Sequence, residues 1–296
     1  MLSILIPTYN YNVYPLACQL EKQALERKIE FEIICIDDGS QSELDKDNDK
    51  INQLHNSRFK TLSKNVGLSN NRNILADASK YNLLLFIDGD SIIPNINYIS
   101  NYIEAIKKDT DVVYGGRIHP KTVSSSRKLR WKYGIYREDT TSTLRNKNIY
   151  KSTLFNNTLI KKEIFNKIRF EKSIKEYGHE DTIFAYKLKV LNASILHIDN
   201  PVLHNDVDLN SVYFLKTQQA LKNLNVIYQN KIINPDFVTF LKLFKTLKTY
   251  KLNYPFAGCY LLLHSLFKYN LKSNRPYLFV FDLFRISFFS YINLKK

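Results

Sequence analysis

The sequence predicts an α/β fold: a doubly wound, mostly parallel sheet followed by a helical C-terminal extension. Three observations predict it. Over the first ninety residues, short apolar runs alternate with helical periodicities and the connections are short, as in sheets built with right-handed crossovers. The polar residues Thr8, Asp37, Asp38, Asp88 and Asp90 all follow the ends of apolar runs, where open α/β sheets bind ligands. From Pro235 onward the composition shifts to basic and aromatic residues at helical spacing.

Ser3-Ile4-Leu5-Ile6-Pro7 reads as a strand closed by proline and followed by Thr8, Tyr9 and Asn10. Residues 14–28 carry apolar side chains at 16, 20 and 24, one face of a helix. Residues 32–36 form the next apolar run, which ends in Asp37-Asp38-Gly39-Ser40. The polar, acidic stretch 41–57 predicts a surface helix, and 59–62 a third strand. Asn65-Val66-Gly67-Leu68-Ser69 reads as a loop, with Ser69 placed to cap a helix over 70–79 that carries Arg72. The run from Leu83 to Ile87 is apolar throughout, the signature of a strand buried on both faces. It delivers Asp88-Gly89-Asp90, and Gly89 lets the backbone turn tightly. Two acids at a strand end suit a hard divalent cation, which in turn suits a diphosphate. An acidic turn is the alternative, since Asp-Gly is a common turn pair.

Residues 96–109 predict a helix and 112–117 another strand. In 119–150, Lys121, Arg127, Lys128, Arg130, Lys132, Arg137, Arg145 and Lys147 interleave with Trp131, Tyr133 and Tyr136. Such a stretch binds nucleic acid by stacking and phosphate contact, holds an acceptor, or is a solvated loop. Residues 155–160 read as a strand or turn and 161–167 as a short helix. Tyr177-Gly178-His179-Glu180-Asp181 opens an amphipathic helix, and acids in a first turn also serve as caps. Residues 194–198 are strand-like, with His197 in a structural setting, and His204 follows the Asn200-Pro201 turn. Residues 235–296 hold ten basic and two acidic side chains. They either attach to a membrane interface or pack as a helical subdomain with solvated lysines.

The formal net charge of +15 calls for an anionic partner: nucleotide, acidic polymer, nucleic acid or anionic lipid. Cys18, Cys35 and Cys259 are too scattered for a disulfide framework or a zinc site, which fits a reducing compartment. Neither a signal peptide nor a spanning helix is expected. No G-x-G-x-x-G occurs, which argues against a dinucleotide-dependent oxidoreductase. The N-terminus also lacks the glycine-rich phosphate loop of a metal-dependent nucleotidyltransferase, the nearest enzyme alternative. A non-catalytic basic protein binding nucleic acid or membrane would leave the ordered acids unexplained.

Ile6-Pro7-Thr8-Tyr9-Asn10, Asp37-Asp38-Gly39-Ser40, Asn65 through Asn73 and Asp88-Gly89-Asp90 resemble, in order and spacing, the family 2 glycosyltransferases of the GT-A fold. The resemblance extends over residues 1–215. It implies a GT-A catalytic domain there, with a nucleotide-sugar half to about 118 and an acceptor half over 119–215, followed by a basic helical region over 216–296. It implies transfer of a sugar from a nucleotide-diphosphate donor to the hydroxyl of a glycan or lipid-linked acceptor, with inversion and with Mn²⁺ or Mg²⁺. Nucleotide-sugar contacts then fall to Pro7, Thr8, Tyr9, Asn10, Asp37, Asp38, Asn65, Gly67, Arg72, Asp88 and Gly89. Metal contacts fall to Asp90, His204 and Asp88, and the general base to Asp181 with Glu180 as alternative. A carboxylate at Asp38 or Asp37 accepts from the N3–H of uracil, which favours a UDP-sugar, though guanine also offers donors. Arg72 either reaches the pyrophosphate or buttresses the acidic pair. The expected setting is the cytoplasm, at the inner face of the cell membrane, in bacterial polysaccharide or lipid-linked glycan synthesis, with peripheral membrane contact through 235–296 and no nucleic acid.

Overall fold

A computed structural model describes residues 1–172 and 178–295 of the chain. The first third runs β1 (Leu2–Thr8), α1 (Tyr14–Glu26), β2 (Phe31–Asp37), α2 (Asp45–Asn48), β3 (Ser57–Thr61), α3 (Leu68–Ala78), β4 (Leu83–Ile87), β5 (Ser91–Ile92) and α4 (Tyr98–Ala105). The middle continues with β6 (Val112–Tyr114), β7 (Arg117–Ile118), α5 (Lys128–Tyr133), α6 (Ser142–Arg145), β8 (Asn157–Lys161), α7 (Lys162–Ile168), α8 (Glu180–Val190), β9 (Ile195–His197) and β10 (Val202–His204). The chain closes with α9 (Asn210–Gln229), α10 (Thr239–Thr249), α11 (Asn253–Lys272) and α12 (Leu278–Leu294).

Two compact units emerge, one from residues 1–118, 139–172 and 187–206, the other from 119–138, 178–186 and 207–295. In the first unit, seven strands form a sheet in the order β3-β2-β1-β4-β8-β6-β9, and only β8 runs against the rest. Every residue of β1 and β2 is buried, which is why both read as largely apolar runs, and the polar Ser3 and Glu32 within them bond to each other at 2.6 Å. Their parallel register sets Thr8 opposite Asp37, so both side chains reach the carboxyl edge together. A second, three-stranded sheet has the order β5-β10-β7, with His204 opposite Ser91.

The strand expected over 112–117 is divided between these two sheets. The break falls at Gly115-Gly116, and Gly116 takes a φ of 93°, open to glycine. A Cβ on Gly115 would run into the Asn157 amide nitrogen at 2.6 Å. That amide is the hub of a buried network. Its oxygen accepts from the hydroxyls of Tyr98 (2.5 Å) and Tyr102 (2.6 Å), while its nitrogen donates to the carbonyls of Gly116 (2.7 Å) and Asn200 (2.9 Å). Both ends of the amide are therefore satisfied, as burial demands.

The α3 helix begins at Leu68, not after a Ser69 cap. Gly67 occupies the cap position at φ 86°, and Ser69 is buried inside the first turn. Stretch 41–57 holds only α2 and a 3₁₀ turn over Asp49–Gln53. In the second unit, 119–138 folds as helical turns. Trp131 donates to the Pro120 carbonyl (2.7 Å), and Arg130 pairs with Glu138 (2.8 Å) over the Tyr213 ring. The second unit's core joins Leu129 with Leu241, Phe244, Phe281, Phe284 and Phe289. Among the described residues, no helix is long and apolar enough to cross a membrane.

His197 has the structural setting expected of it: buried, edge-on to Tyr114, with Nε2 2.8 Å from the Ile149 carbonyl. Burial, reinforced by Arg145, lowers its pKa to about 4, and burial with Arg285 nearby does the same to His179. The unfolded chain takes up these protons near pH 6.5, the folded chain only near 4. Stability should therefore fall as pH drops through that window, by on the order of 2–3 kcal/mol per histidine. Urea denaturation at pH 7 and pH 5 checks this. The loss should shrink in His197→Gln, and an unchanged stability between the two pH values would contradict it.

Candidate active site

The site grows from the carboxyl edge of the first unit's main sheet. At the ends of β1 and β2, Asp37 accepts through Oδ2 from the Ser40 N–H at 2.7 Å. Its Oδ1 is buried, and so is the Thr8 hydroxyl opposite, yet neither has a hydrogen-bond partner among the described residues. Buried acceptors without partners are rare and costly, and two side by side at a sheet edge mark a place for a polar ligand.

Asp38 behaves differently. Its two oxygens accept from the N–H groups of Val66 (2.7 Å) and Gly67 (2.9 Å), so it clamps the loop leading into α3. Burial pushes its pKa up, against the pull of those two bonds. Gly39 makes the clamp feasible: a Cβ there would lie 2.5 Å from the Lys64 backbone. Asn65 adds a second acceptor for the Gly67 N–H at 3.1 Å.

The Asp88-Gly89-Asp90 turn lies against Thr8. A Cβ on Gly89 would stand 3.2 Å from the Thr8 hydroxyl and 2.8 Å from Val13. Gly89 is thus required for close approach rather than for a left-handed backbone. Asp88 receives Arg72 at 2.9 Å. Arg72 is 1% exposed and lies over the rings of Phe170 and Phe155 at 5.1 and 5.9 Å. Of its two expected roles, the contact seen is the buttress, a charge-assisted bond held by cation–π packing.

Asp90 meets His204 at 3.1 Å, Oδ2 to Nδ1. The antiparallel register of β5 and β10 causes this, because it sets His204 beside Ser91, the residue after Asp90. Burial pushes the Asp90 carboxyl up, but the His204 bond and the charges of His204 and Arg117 outweigh it and hold it below the usual range. Pro7 is buried within β1; Tyr9 is 58% exposed and Asn10 takes a φ of 52°, so the chain turns outward at the edge.

Three contributors carried no sequence signal of their own. Arg117 and Asp206 lie close enough to act electrostatically on Asp90 and Tyr11 respectively. The Tyr11 hydroxyl is raised by burial, then by Asp90 and Asp206. Asp206 lies two residues beyond His204, the only hint available.

Glu180 and Asp181 open α8 in the second unit. Glu180 accepts from the Gly178 N–H at 3.0 Å, and Asn223 donates to the Gly178 carbonyl at 2.6 Å. Gly178 and His179 both have positive φ, 103° and 73°, so the turn before α8 is closely defined. Tyr177 lies outside the described residues.

Among the described residues, no group of three or more His, Cys, Asp or Glu side chains is gathered tightly enough to enclose a metal. Asp90 and His204, paired at 3.1 Å, with Asp88 two residues away on the same turn, are donors of the kinds a divalent cation takes. Carboxylates beside an imidazole suit such an ion, and it completes its shell with water and substrate phosphate oxygens.

No curated protein matches the sequence. Solved structures do. Crystal structures of residues 1–349 of S. aureus TarS align with a TM-score of 0.53 and 22% identity, covering 77% of this chain and 72% of that one. The same protein with UDP aligns at 0.51 and 23% over the same shares. With UDP-GlcNAc it aligns at 0.53 and 22%, over 73% of this chain and 64% of that one. The likeness is one of fold, the GT-A arrangement of a mostly parallel sheet. A family model described as glycosyl transferase family 2 matches residues 3–170, more than half of the chain. The chain therefore belongs to glycosyl transferase family 2 and is a glycosyltransferase.

Proposed function

We propose that this glycosyltransferase moves a sugar from a nucleotide-diphosphate donor, with a UDP-sugar favoured, to an acceptor hydroxyl with inversion at the anomeric carbon. One observation carries the reading. At a single sheet edge lie two buried oxygens without partners among the described residues, on Thr8 and Asp37, and the turn whose Asp90 pairs with His204 comes against Thr8. The first pair suits a nucleoside, the second a diphosphate and its cation.

In this reading Asp37 Oδ1 accepts from the base, and Thr8 and the Pro7 backbone line the nucleoside slot. Tyr9 and Asn10 border its mouth. Asp38 keeps the Asn65–Gly67 loop in place instead of meeting the base itself, since both its oxygens are engaged there. Asp88, steadied by Arg72, orients the ribose, and Gly89 lets the turn approach. Asp90 and His204, with Asp88 as a further carboxylate, hold Mn²⁺ or Mg²⁺. Such an ion supplies charge neutralisation for the leaving diphosphate.

Asp181 takes the acceptor's proton. The family resemblance supports this, with Glu180 the alternative. One positioned base and no covalent nucleophile imply a single displacement, hence inversion. The acceptor is a glycan or lipid-linked molecule of bacterial surface polysaccharide or lipid-linked glycan synthesis, handled in the cytoplasm at the inner face of the membrane. Residues 119–215 supply the acceptor half.

A thermal-shift screen of nucleoside diphosphates with and without Mn²⁺ tests the donor site, through ligand-linked stability. UDP should give the largest shift. In Asp37→Asn the amide oxygen stays on the Ser40 N–H and turns a donor toward the base, so the UDP affinity should fall by roughly tenfold or more. A UDP shift equal to wild type in that variant would contradict the assignment.

Chelator should abolish transfer, and Mn²⁺ or Mg²⁺ should restore it. Full turnover in excess chelator would remove the cation from the mechanism.

Asp181→Asn should bind donor as wild type does and lose turnover by roughly 100- to 10,000-fold. Retained activity would move the role to Glu180. A product that keeps the donor's anomeric configuration, read by proton NMR, would exclude single displacement.

A further inference from the structure

The α11 helix packs one side onto the second unit's core through Phe267 and Leu271, with Leu263 beside them. Its other side is apolar and open. Tyr254, Leu261, Leu262, Leu266 and Tyr269 are 60, 58, 82, 63 and 80% exposed. At about 100° per residue they fall, with Gly258, in one arc of roughly 140°. Nothing lies within 4 Å of where a Gly258 Cβ would stand, so the arc is uncovered there too. Single exposed leucines need no explanation, but five large apolar side chains in one arc do.

Along the chain, the charges that flank this stripe have one sign, apart from Asp236, which pairs with Lys245 at 3.2 Å. No acidic residue occurs between Asp236 and Asp282, while Lys242, Lys245, Lys248, Lys251, Lys268, Lys272 and Arg275 all lie in that interval. At the C-terminal end of α11 the stripe borders an open recess of about 740 Å³ lined by Ser265, Lys268, Tyr269, Lys272, Ser273 and Asn274. Two ammonium groups among hydroxyl and amide donors match a phosphate.

We propose that this face of α11 docks on an anionic lipid bilayer. The leucines and tyrosines sit at the headgroup boundary, and the Lys268–Lys272 recess takes a lipid phosphate. An apolar helix face flanked by lysines, on a helix too polar to span, is the pattern of an interfacial attachment. A second copy of the chain suits the face poorly. A two-fold contact through α11 would set its lysines against an identical surface with no carboxylate to receive them. A nucleic acid would find two tyrosines to stack on, but most of the face is leucine, which cannot stack on bases. The proposal narrows the membrane contact expected of 235–296 to one helix face, and it stands independently of the transfer chemistry.

Flotation of the full-length protein with phosphatidylcholine vesicles, with and without phosphatidylglycerol, tests it directly and needs no donor or acceptor. The protein should float with the anionic vesicles only, and high salt should weaken the association. Leu262→Glu with Leu266→Glu should reduce the bound fraction roughly tenfold or more, and Lys268→Glu should also reduce it. These side chains point to solvent, so the UDP-induced thermal shift should not change. Absence of binding to anionic vesicles, equal binding to neutral ones, or variants that bind as wild type would overturn the proposal. So would a wild-type dimer in size-exclusion chromatography that the leucine variants dissociate.

Discussion

One buried amide, that of Asn157, sets the geometry on which the site rests. It sits on the antiparallel strand β8, between the helix that carries Tyr98 and Tyr102 and the turns at Gly116 and Asn200. Those turns are where the chain leaves the main sheet for the small one. By satisfying both carbonyls, the amide lets backbone turn inside the protein without unpaired groups. The small sheet then has its place: β10 lies between β5 and β7, and His204 arrives beside the residue that follows Asp90. Asn200 returns a bond to the Tyr98 carbonyl at 2.9 Å, which closes the network on itself. A leucine at 157 would fit the volume but take a partner from the Tyr98 hydroxyl and the Asn200 carbonyl, while Tyr102 keeps the residue-157 backbone carbonyl and the Gly116 carbonyl keeps the Val202 N–H.

Around this frame the charged groups are fixed before any ligand arrives. Arg72 lies between aromatic rings and gives its guanidinium to Asp88. Asp38 spends its carboxylate on a loop. Such groups hold the edge rigid, and rigid donors and acceptors stabilise developing charge without reorganising. Among the described residues the buried oxygens of Thr8 and Asp37 lack partners at this edge, as do Ser40 Oγ and Asn71 Oδ1 nearby. Burial without a partner costs stability that a ligand can return.

The fold and the acids of the site were readable in the sequence for a common reason. Strands β1, β2 and β4 are covered on both faces, so they appear as largely apolar runs, interrupted only by Ser3 and Glu32, and the acids stand out at their ends. What stayed hidden depends on register and close approach. Gly115 looks like the middle of a strand until Tyr102, Asn157 and Asn200 crowd it. Ser69 has the chemistry of a cap, but Asp38 seizes the Gly67 N–H and the helix starts earlier. Asn157 stands between Asn156 and Thr158 with nothing in the sequence to single it out, and only its partners reveal its role. The basic-aromatic stretch 119–150 reads as an open loop because its helices are short and its arginines find internal partners, as Arg130 does on Glu138 and Arg145 on the Ile198 carbonyl.

The central claim is that a carboxylate and an imidazole, joined across β5 and β10, grip a divalent cation at the sheet edge. Crystals soaked with UDP and Mn²⁺ and measured at the manganese absorption edge test it most directly. The account predicts one anomalous peak within bonding distance of Asp90 and His204, lost in His204→Ala crystals. A peak elsewhere, or UDP bound in order with no manganese beside Asp90, would contradict it.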